Sequence, residues 1–336
     1  MRWLYLVLGC VVLLATVIDI LWTALWVDGG AGPISGRLTT AIWDGLRRVG
    51  TDDERLLSTA GPLTLVATLT LWIVGIWAGW TLLFVADRWA LVASQTGAPA
   101  DLVGRIYFVG YMMFTAGNGD YVPTADGWQL AAGATTASGM ALVTLAVSYV
   151  LTVLGAVSEK RAFASGVTGL GERSEAFVRN GYDERDGFGG LERRFESLSD
   201  QLDLLADKHR AYPILHYYHS ERAEHSSAVA VAIFDDALTL IEHGVDPDAQ
   251  PNATLLQAAR ASTDEYLHTL DQAFIDPAEE VPPPPELERL RIAGIETVSD
   301  DAFADALAAA RERRRRLLGV VQGDAWAWPP VTADED

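Results

Sequence analysis

The sequence predicts an all-α membrane protein. It has three transmembrane helices, a re-entrant helix and loop between the second and third, and an acidic helical domain at the C-terminal end. Three observations carry this expectation. Charge is unevenly divided: residues 1–158 hold 7 Lys+Arg and 10 Asp+Glu, whereas residues 159–336 hold 18 and 35. The net charges are therefore −3 and −17. Apolar runs long enough to cross a bilayer fall only in the first part. Between two of them lies a short apolar stretch followed by a loop with alternating glycines. A single soluble globule is excluded.

Composition removes other classes. The one cysteine, Cys10, lies in an apolar run, so neither a disulfide framework nor a cysteine-based zinc site can form. A formal net charge of −20 argues against nucleic acid as a partner, because phosphate is repelled. Only Lys160 and Lys208 accompany the arginines. Acid-rich, lysine-poor composition suits a high-salt, halophilic cytosol, and equally a codon bias toward Ala, Arg and Asp. No nucleophile–base set suggests an enzyme.

The elements follow in order. Residues 3–27 are apolar except for Asp19 and span roughly 37 Å as a helix, enough to cross a hydrocarbon core of ~30 Å with tilt. The run exceeds a signal peptide, and no A-x-A cleavage site follows it. Asp19 is costly if it faces lipid, so it is expected to pair locally with the 28–61 loop. In that loop residues 39–49 form an amphipathic helix suited to a membrane surface. The second span, 62–86, starts at Pro62. Within it Gly75 and Gly79 form a G-x-x-x-G pair suited to close helix packing. The third span is 129–157. Trp3, Trp22, Trp26, Trp80, Trp89 and Trp128 sit near span ends, as interfacial belts require.

Residues 100–114 form a helix too short to span, followed at once by Thr115, Ala116, Gly117, Asn118, Gly119 and Asp120. Irregular backbone at membrane depth is tolerated only inside protein or against water. Arginine placement sets the orientation. Arg37, Arg47, Arg48 and Arg55 lie in the 28–61 loop, and Lys160 and Arg161 follow the third span. The other side has only Arg2 and Arg88 near span ends, plus Arg105 in the re-entrant helix. The positive-inside rule puts the loop and the C-terminal domain in the cytoplasm of a cell-membrane protein, with the N-terminus outside.

Outer helix, short helix, T-x-G-x-G-D loop and inner helix together resemble the potassium-channel pore family over residues 62–157. The resemblance implies a cation channel in which four subunits surround one axis. It implies K⁺ as the permeant ion, no cofactor, and 115–120 as the ion-binding filter. A dehydrated cation needs rings of backbone carbonyls, and alternate residues must then reach left-handed φ/ψ, which glycine permits cheaply. Thr115 can add its hydroxyl, and Asp120 can brace the loop or attract cations. The family's filter carries an aromatic where this sequence has Asn118, and the aromatics of the short helix are not expected to brace a smaller polar side chain. Weakened K⁺/Na⁺ discrimination is expected, unless the Asn118 amides brace one another by hydrogen bonds and keep the diameter. The alternatives are a non-selective or Na⁺-permeable channel, or a nonconducting membrane sensor or scaffold.

On the inner helix, Gly139 reads as a bending glycine or as a site of close packing. Met140, Val143, Val147 and Leu151 recur at helical spacing and line an inner pore. No voltage-sensor helix is present. Nor is there a strand–loop–helix G-x-G-x-x-G unit, which removes the family's common nucleotide-binding domain. Gly166, Gly169 and Gly171 read as a flexible linker over 158–190. The remainder, 191–336, is expected to be helical over 191–209, 226–242, 253–274 and 300–321, with an extended Pro-rich break at 277–285. His216, His219 and His225 are weak candidates for a divalent metal; they read alternatively as packing or as a pH-responsive interface. The Arg313–Arg316 run reads as a solvated face. No regulatory ligand is indicated.

Overall fold

The computed structural model describes residues 2–27, 30–49, 53–271 and 276–331. It is an all-α protein, and three helices among the described residues are long and apolar enough to cross a membrane. The chain divides into a membrane unit, Met1–Ile42 with Pro62–Val153, and a second unit, Trp43–Gly61 with Leu154–Asp336.

In the membrane unit, α1 (Arg2–Leu25) packs on α4 (Ala60–Val85) through small residues. A Cβ on Gly75 would lie 2.4 Å from Thr16 Oγ1, and one on Gly79 would lie 2.6 Å from Leu13 Cγ. The G-x-x-x-G pair therefore does what its spacing suggested: it lets two helices approach where lipid offers no hydrophobic drive. Asp19 is buried. Its Oδ1 accepts from the Ile34 and Ser35 amides at 2.8 and 3.0 Å, and Oδ2 accepts from Ser35 Oγ at 2.5 Å and Trp72 Nε1 at 3.1 Å. The carboxylate thus caps the start of α2 (Ser35–Val49), where unsatisfied amides and the helix dipole favour negative charge. Local pairing with the loop is borne out.

After α4, strand β1 (Leu91–Ala93) pairs antiparallel with β2 (Tyr121–Pro123), in register Leu91↔Pro123. Between them stands the short helix α5 (Leu102–Met113), and α6 (Asp126–Thr168) follows. The inner helix is longer than the expected 129–157. No proline interrupts it, so the helix runs on to Thr168 and delivers Phe163, Ala164 and Val167 to the core of the second unit.

That core corrects the expected linker over 158–190. α7 (Ser174–Asn180) buries Phe177 and Val178. Gly166 lies within α6, and a Cβ on Gly171 would sit 2.5 Å from the Phe177 amide nitrogen. The glycines mark tight approaches, not slack. α8 (Gly189–Ala211) buries the stripe Leu191, Phe195, Leu198, Leu202 and Leu205, as its periodicity indicated. Its Phe195 meets α9 (Ser227–Thr239), whose every residue is buried and which ends in a π turn at Leu240–Gly244. The Phe234 ring contacts Phe163, Phe177 and Phe195 at centroid distances of 5.8–6.4 Å. α10 (Ala253–Asp271) follows; the expected end at 272–274 lies outside the described residues.

Beyond α11 (Glu288–Ile292), the expected helix over 300–321 is two: α12 (Asp300–Ala309) and α13 (Arg311–Gly323), separated at Ala310 with ψ near 4°. The arginine run is not a solvated face. Buried Arg314 meets buried Asp236 at 2.9 Å and donates to the Pro282 and Pro283 carbonyls at 3.1 and 2.7 Å. Arg313 and Arg260 both pair with Asp235, and the two arginines hold that carboxyl below the usual range although burial alone would raise it. Charges this deep demand partners, so the run was drawn inward by the aspartates of α9.

The apolar side of α2 is used within the protein: Trp43 and Leu46 pack with Leu57, Ala60 and Tyr217 inside the second unit. Here α3 (Glu54–Ser58) contributes Leu57. Phe234→Ala is expected to lower unfolding stability by about 3–5 kcal/mol through the cavity it leaves, whereas Arg193→Ala, at an exposed position, should change it little. Denaturant unfolding of the two variants checks the difference.

Candidate functional site

The site is built at the C-terminal end of α5. Asp101 starts that helix by accepting the Gly104 amide at 2.7 Å. Two glycines let its neighbours come close: a Cβ on Gly104 would lie 2.6 Å from the Tyr121 ring, and one on Gly110 would lie 2.7 Å from Trp77. Trp77 donates to the Ile106 carbonyl at 2.9 Å. Arg105 is buried, and its guanidinium donates to the carbonyls of Ala100, Phe84 and Arg88 at 3.1, 2.8 and 2.8 Å. It thereby satisfies one carbonyl in the last turn of α4 and two in the connection to α5, a role that no sequence pattern signals.

Immediately after α5 the backbone changes hand. Thr115, Gly117 and Gly119 have φ of +58°, +57° and +76°, while Ala116 and Asn118 between them do not have positive φ. The glycine alternation read from sequence is therefore present. That Thr115 joins it has no signal in its residue type. A non-glycine residue in this region is uncommon and is held there by its surroundings. The Thr115 amide donates to the Met112 carbonyl at 3.2 Å and the Ala116 amide to that of Tyr111 at 2.8 Å. Residues 115–120 are exposed in the single chain.

The loop is braced from behind by tyrosine. Asn118 Nδ2 donates to Tyr107 Oη at 2.5 Å, and Tyr107 Oη donates to Asp120 Oδ2 at 3.0 Å. This overturns the expectation that the aromatics of the short helix give Asn118 no support. Tyr107 is long enough to bring a hydroxyl to the small amide, so contact is made by hydrogen bond where ring packing would fail. The Tyr107 ring meets Tyr111 edge-on at 5.1 Å and Tyr121 at 6.5 Å. Tyr111 Oη in turn donates to the Tyr121 carbonyl at 3.0 Å. The outer end of the loop is pinned to the β-ribbon, where Ser94 donates to the Asp120 carbonyl from both its amide and its hydroxyl, at 2.9 and 3.2 Å. Only a polar-tipped aromatic, Tyr107, eleven residues before Asn118, hinted at this arrangement.

The inner helix bears out close packing at Gly139. A Cβ there would lie 2.1 Å from the Met113 carbonyl oxygen, and α6 runs unbroken through the position. Met140, Val143, Val147 and Leu151 are all exposed in the single chain. Trp80 Nε1 donates to Ser138 Oγ at 3.0 Å and ties α4 to α6 above this stripe.

The three histidines are not brought together. His216 is a half-buried residue of a 3₁₀ turn whose ring meets Tyr217, and desolvation lowers it to about 4. His219 is engaged by Glu54 and Asp324. His225 faces Arg222 and Ser165. Among the described residues no group of three or more His, Cys, Asp or Glu is arranged to hold a metal, so this candidate is corrected. The 3₁₀ turn ends at Tyr217 and sends His219 away from His216.

Residues 67–156 match a family model described as an ion channel. The match covers α5, the braced loop and the membrane part of α6, and supports the pore-loop channel family. No solved structure matches the chain. The chain is 41% identical over 325 residues, 97% of its own length and 95% of the relative's, to "Uncharacterized membrane protein YdjJ" of Bacillus subtilis. Similarity of that depth along nearly the whole of both chains makes this protein a member of the YdjJ family of membrane proteins, one that carries an ion-channel domain.

Proposed function

We propose that this protein is a cation channel that passes K⁺ through residues 115–120, contributed by four copies around one axis in the cell membrane. The observation that carries the reading is the alternation of left-handed backbone at Thr115, Gly117 and Gly119, set at the end of a short apolar helix. A chain of alternating hand can offer successive carbonyls to one side, and rings of such carbonyls replace the water shell of a cation. The negative end of α5 favours a cation beyond it. Asp120, held by Tyr107, adds negative charge at the outer mouth. Met140, Val143, Val147 and Leu151 then line the inner pore, and Gly139 seats the inner helix against the pore helix.

Discrimination of K⁺ from Na⁺ requires a loop that does not collapse onto the smaller ion. The Asn118–Tyr107–Asp120 bridge supports such a loop, so this channel is expected to prefer K⁺ despite its unusual filter. The arginine distribution favours a cytoplasmic second unit and an external N-terminus.

Four outcomes test the reading. Purified protein in liposomes should pass K⁺, and Gly117→Ala should abolish that flux. A Cβ in left-handed backbone costs on the order of 1–2 kcal/mol per chain, and the cost recurs in each copy of the ring. Absence of wild-type flux under all salt, pH and voltage conditions would favour a nonconducting sensor or scaffold. Asn118→Ala should keep conducting but lower the K⁺/Na⁺ permeability ratio roughly fivefold or more, the equivalent of a hydrogen bond worth about 1 kcal/mol. Asn118→Tyr should not sharpen selectivity, because it removes the amide that donates to Tyr107.

A further inference from the structure

We propose that His219 is a proton-binding latch that ties the segment preceding α4 to the C-terminal end of the second unit. The latch holds while the ring carries a proton on both nitrogens and lets go when one is lost. The geometry makes the case. Nδ1 lies 2.9 Å from the Asp324 carbonyl oxygen, and Nε2 lies 2.5 Å from Glu54 Oε2. A carbonyl and a carboxylate oxygen only accept. A neutral imidazole carries a single N–H, so one of the two contacts would set lone pair against lone pair. Only the imidazolium donates to both. The side chain is 0% exposed, so water cannot take over the lost donor.

The surroundings agree. Asp324 Oδ1 lies 3.6 Å from Nδ1, and its Oδ2 accepts from Ser226 Oγ at 2.9 Å. Trp326 stacks on the imidazole at 5.0 Å, and Trp43 of α2 faces it at 6.4 Å. Lys160 and His216 are the other charged or titratable groups that act on Asp324. Burial disfavours the charge on His219, but Asp324 and Glu54 outweigh it and raise the group above the ordinary histidine value. Burial instead lowers His216 to about 4 and His209 to about 3, so neither shares the titration near neutrality. Because the bound-state value is raised, the latch is fully made below the ordinary histidine pKa and is lost as pH rises through the raised one.

The latch sits where it can matter. Segment 213–219 is gripped from α6 by Lys160, whose Nζ donates to the Leu215 and Tyr218 carbonyls at 3.2 and 3.0 Å. It is met from the first turn of α4 by Gly61, where a Cβ would lie 2.5 Å from the Tyr218 ring. Glu54 adds α3 to the same segment. The end of the inner helix and the start of the outer helix are therefore joined through the residues that carry His219, and an alkaline shift would loosen the outer-helix side.

The test needs no current, so its failure is separable from failure of the channel reading. Amide hydrogen exchange of residues 53–59 is followed in the full-length protein in lipid nanodiscs from about pH 6 to about pH 9, corrected for the intrinsic pH dependence of exchange. Wild type should exchange roughly tenfold or more faster at the upper end, the loss expected of one charge-assisted hydrogen bond. His219→Gln, which cannot gain a second proton, should show no step. Glu54→Gln, at a partly exposed side chain, should show a smaller one. Wild-type exchange without a pH step, or a step of wild-type size in either variant, would overturn the latch.

Discussion

A backbone that turns left-handed at alternate residues forgoes the hydrogen bonds of helix or sheet, so its shape must be imposed from outside. Here the imposition is the chain Asn118–Tyr107–Asp120, fixed to a helix at one end and to the Ser94 ribbon at the other. Much else in the membrane unit serves this constraint. Gly104 and Gly110 let Tyr121 and Trp77 close on α5, and Gly139 lets α6 press on the Met113 carbonyl. Remove the side chain at those three positions and the helix that carries Tyr107 sits tightly; add one and it must shift.

The same economy governs the few charges buried in an apolar setting. Asp19 meets the free amides at the start of α2, and Arg105 meets the Phe84 carbonyl in the last turn of α4. Each places its charge against a helix end of opposite polarity, where the backbone groups would otherwise lack partners. The second unit solves the problem with counter-charges, placing Arg260, Arg313 and Arg314 against Asp235 and Asp236. Breaking such a pair from one side leaves an uncompensated charge, which explains why arginine density within one short helix does not make a surface patch.

What could be read from sequence was what depends on length, apolarity and local backbone need. The three spans, the short helix and the glycine alternation fall in that class. Tyr107 did not, because its role depends on the loop folding back across eleven residues to meet it. Gly166, Gly169 and Gly171 looked like slack since composition alone cannot tell a flexible glycine from one that admits a close neighbour; Gly171 is the latter. The break at Ala310 has no Pro or Gly to announce it. His216 and His219 would share a face only on a continuous helix, but the turn that carries His216 ends at Tyr217, so His219 meets Glu54 and Asp324 instead.

The most direct measurement of the central claim is the reversal potential under bi-ionic K⁺/Na⁺ conditions, compared between wild type and Tyr107→Phe. The substitution keeps the ring beside Tyr111 and Tyr121 and removes only the hydroxyl between Asn118 and Asp120. If the hydrogen-bond bridge sets the filter, wild type is K⁺-selective and Tyr107→Phe shifts the reversal potential toward equal permeability. Equal selectivity in the two proteins would contradict the account, since the bridge would then be present without holding the loop.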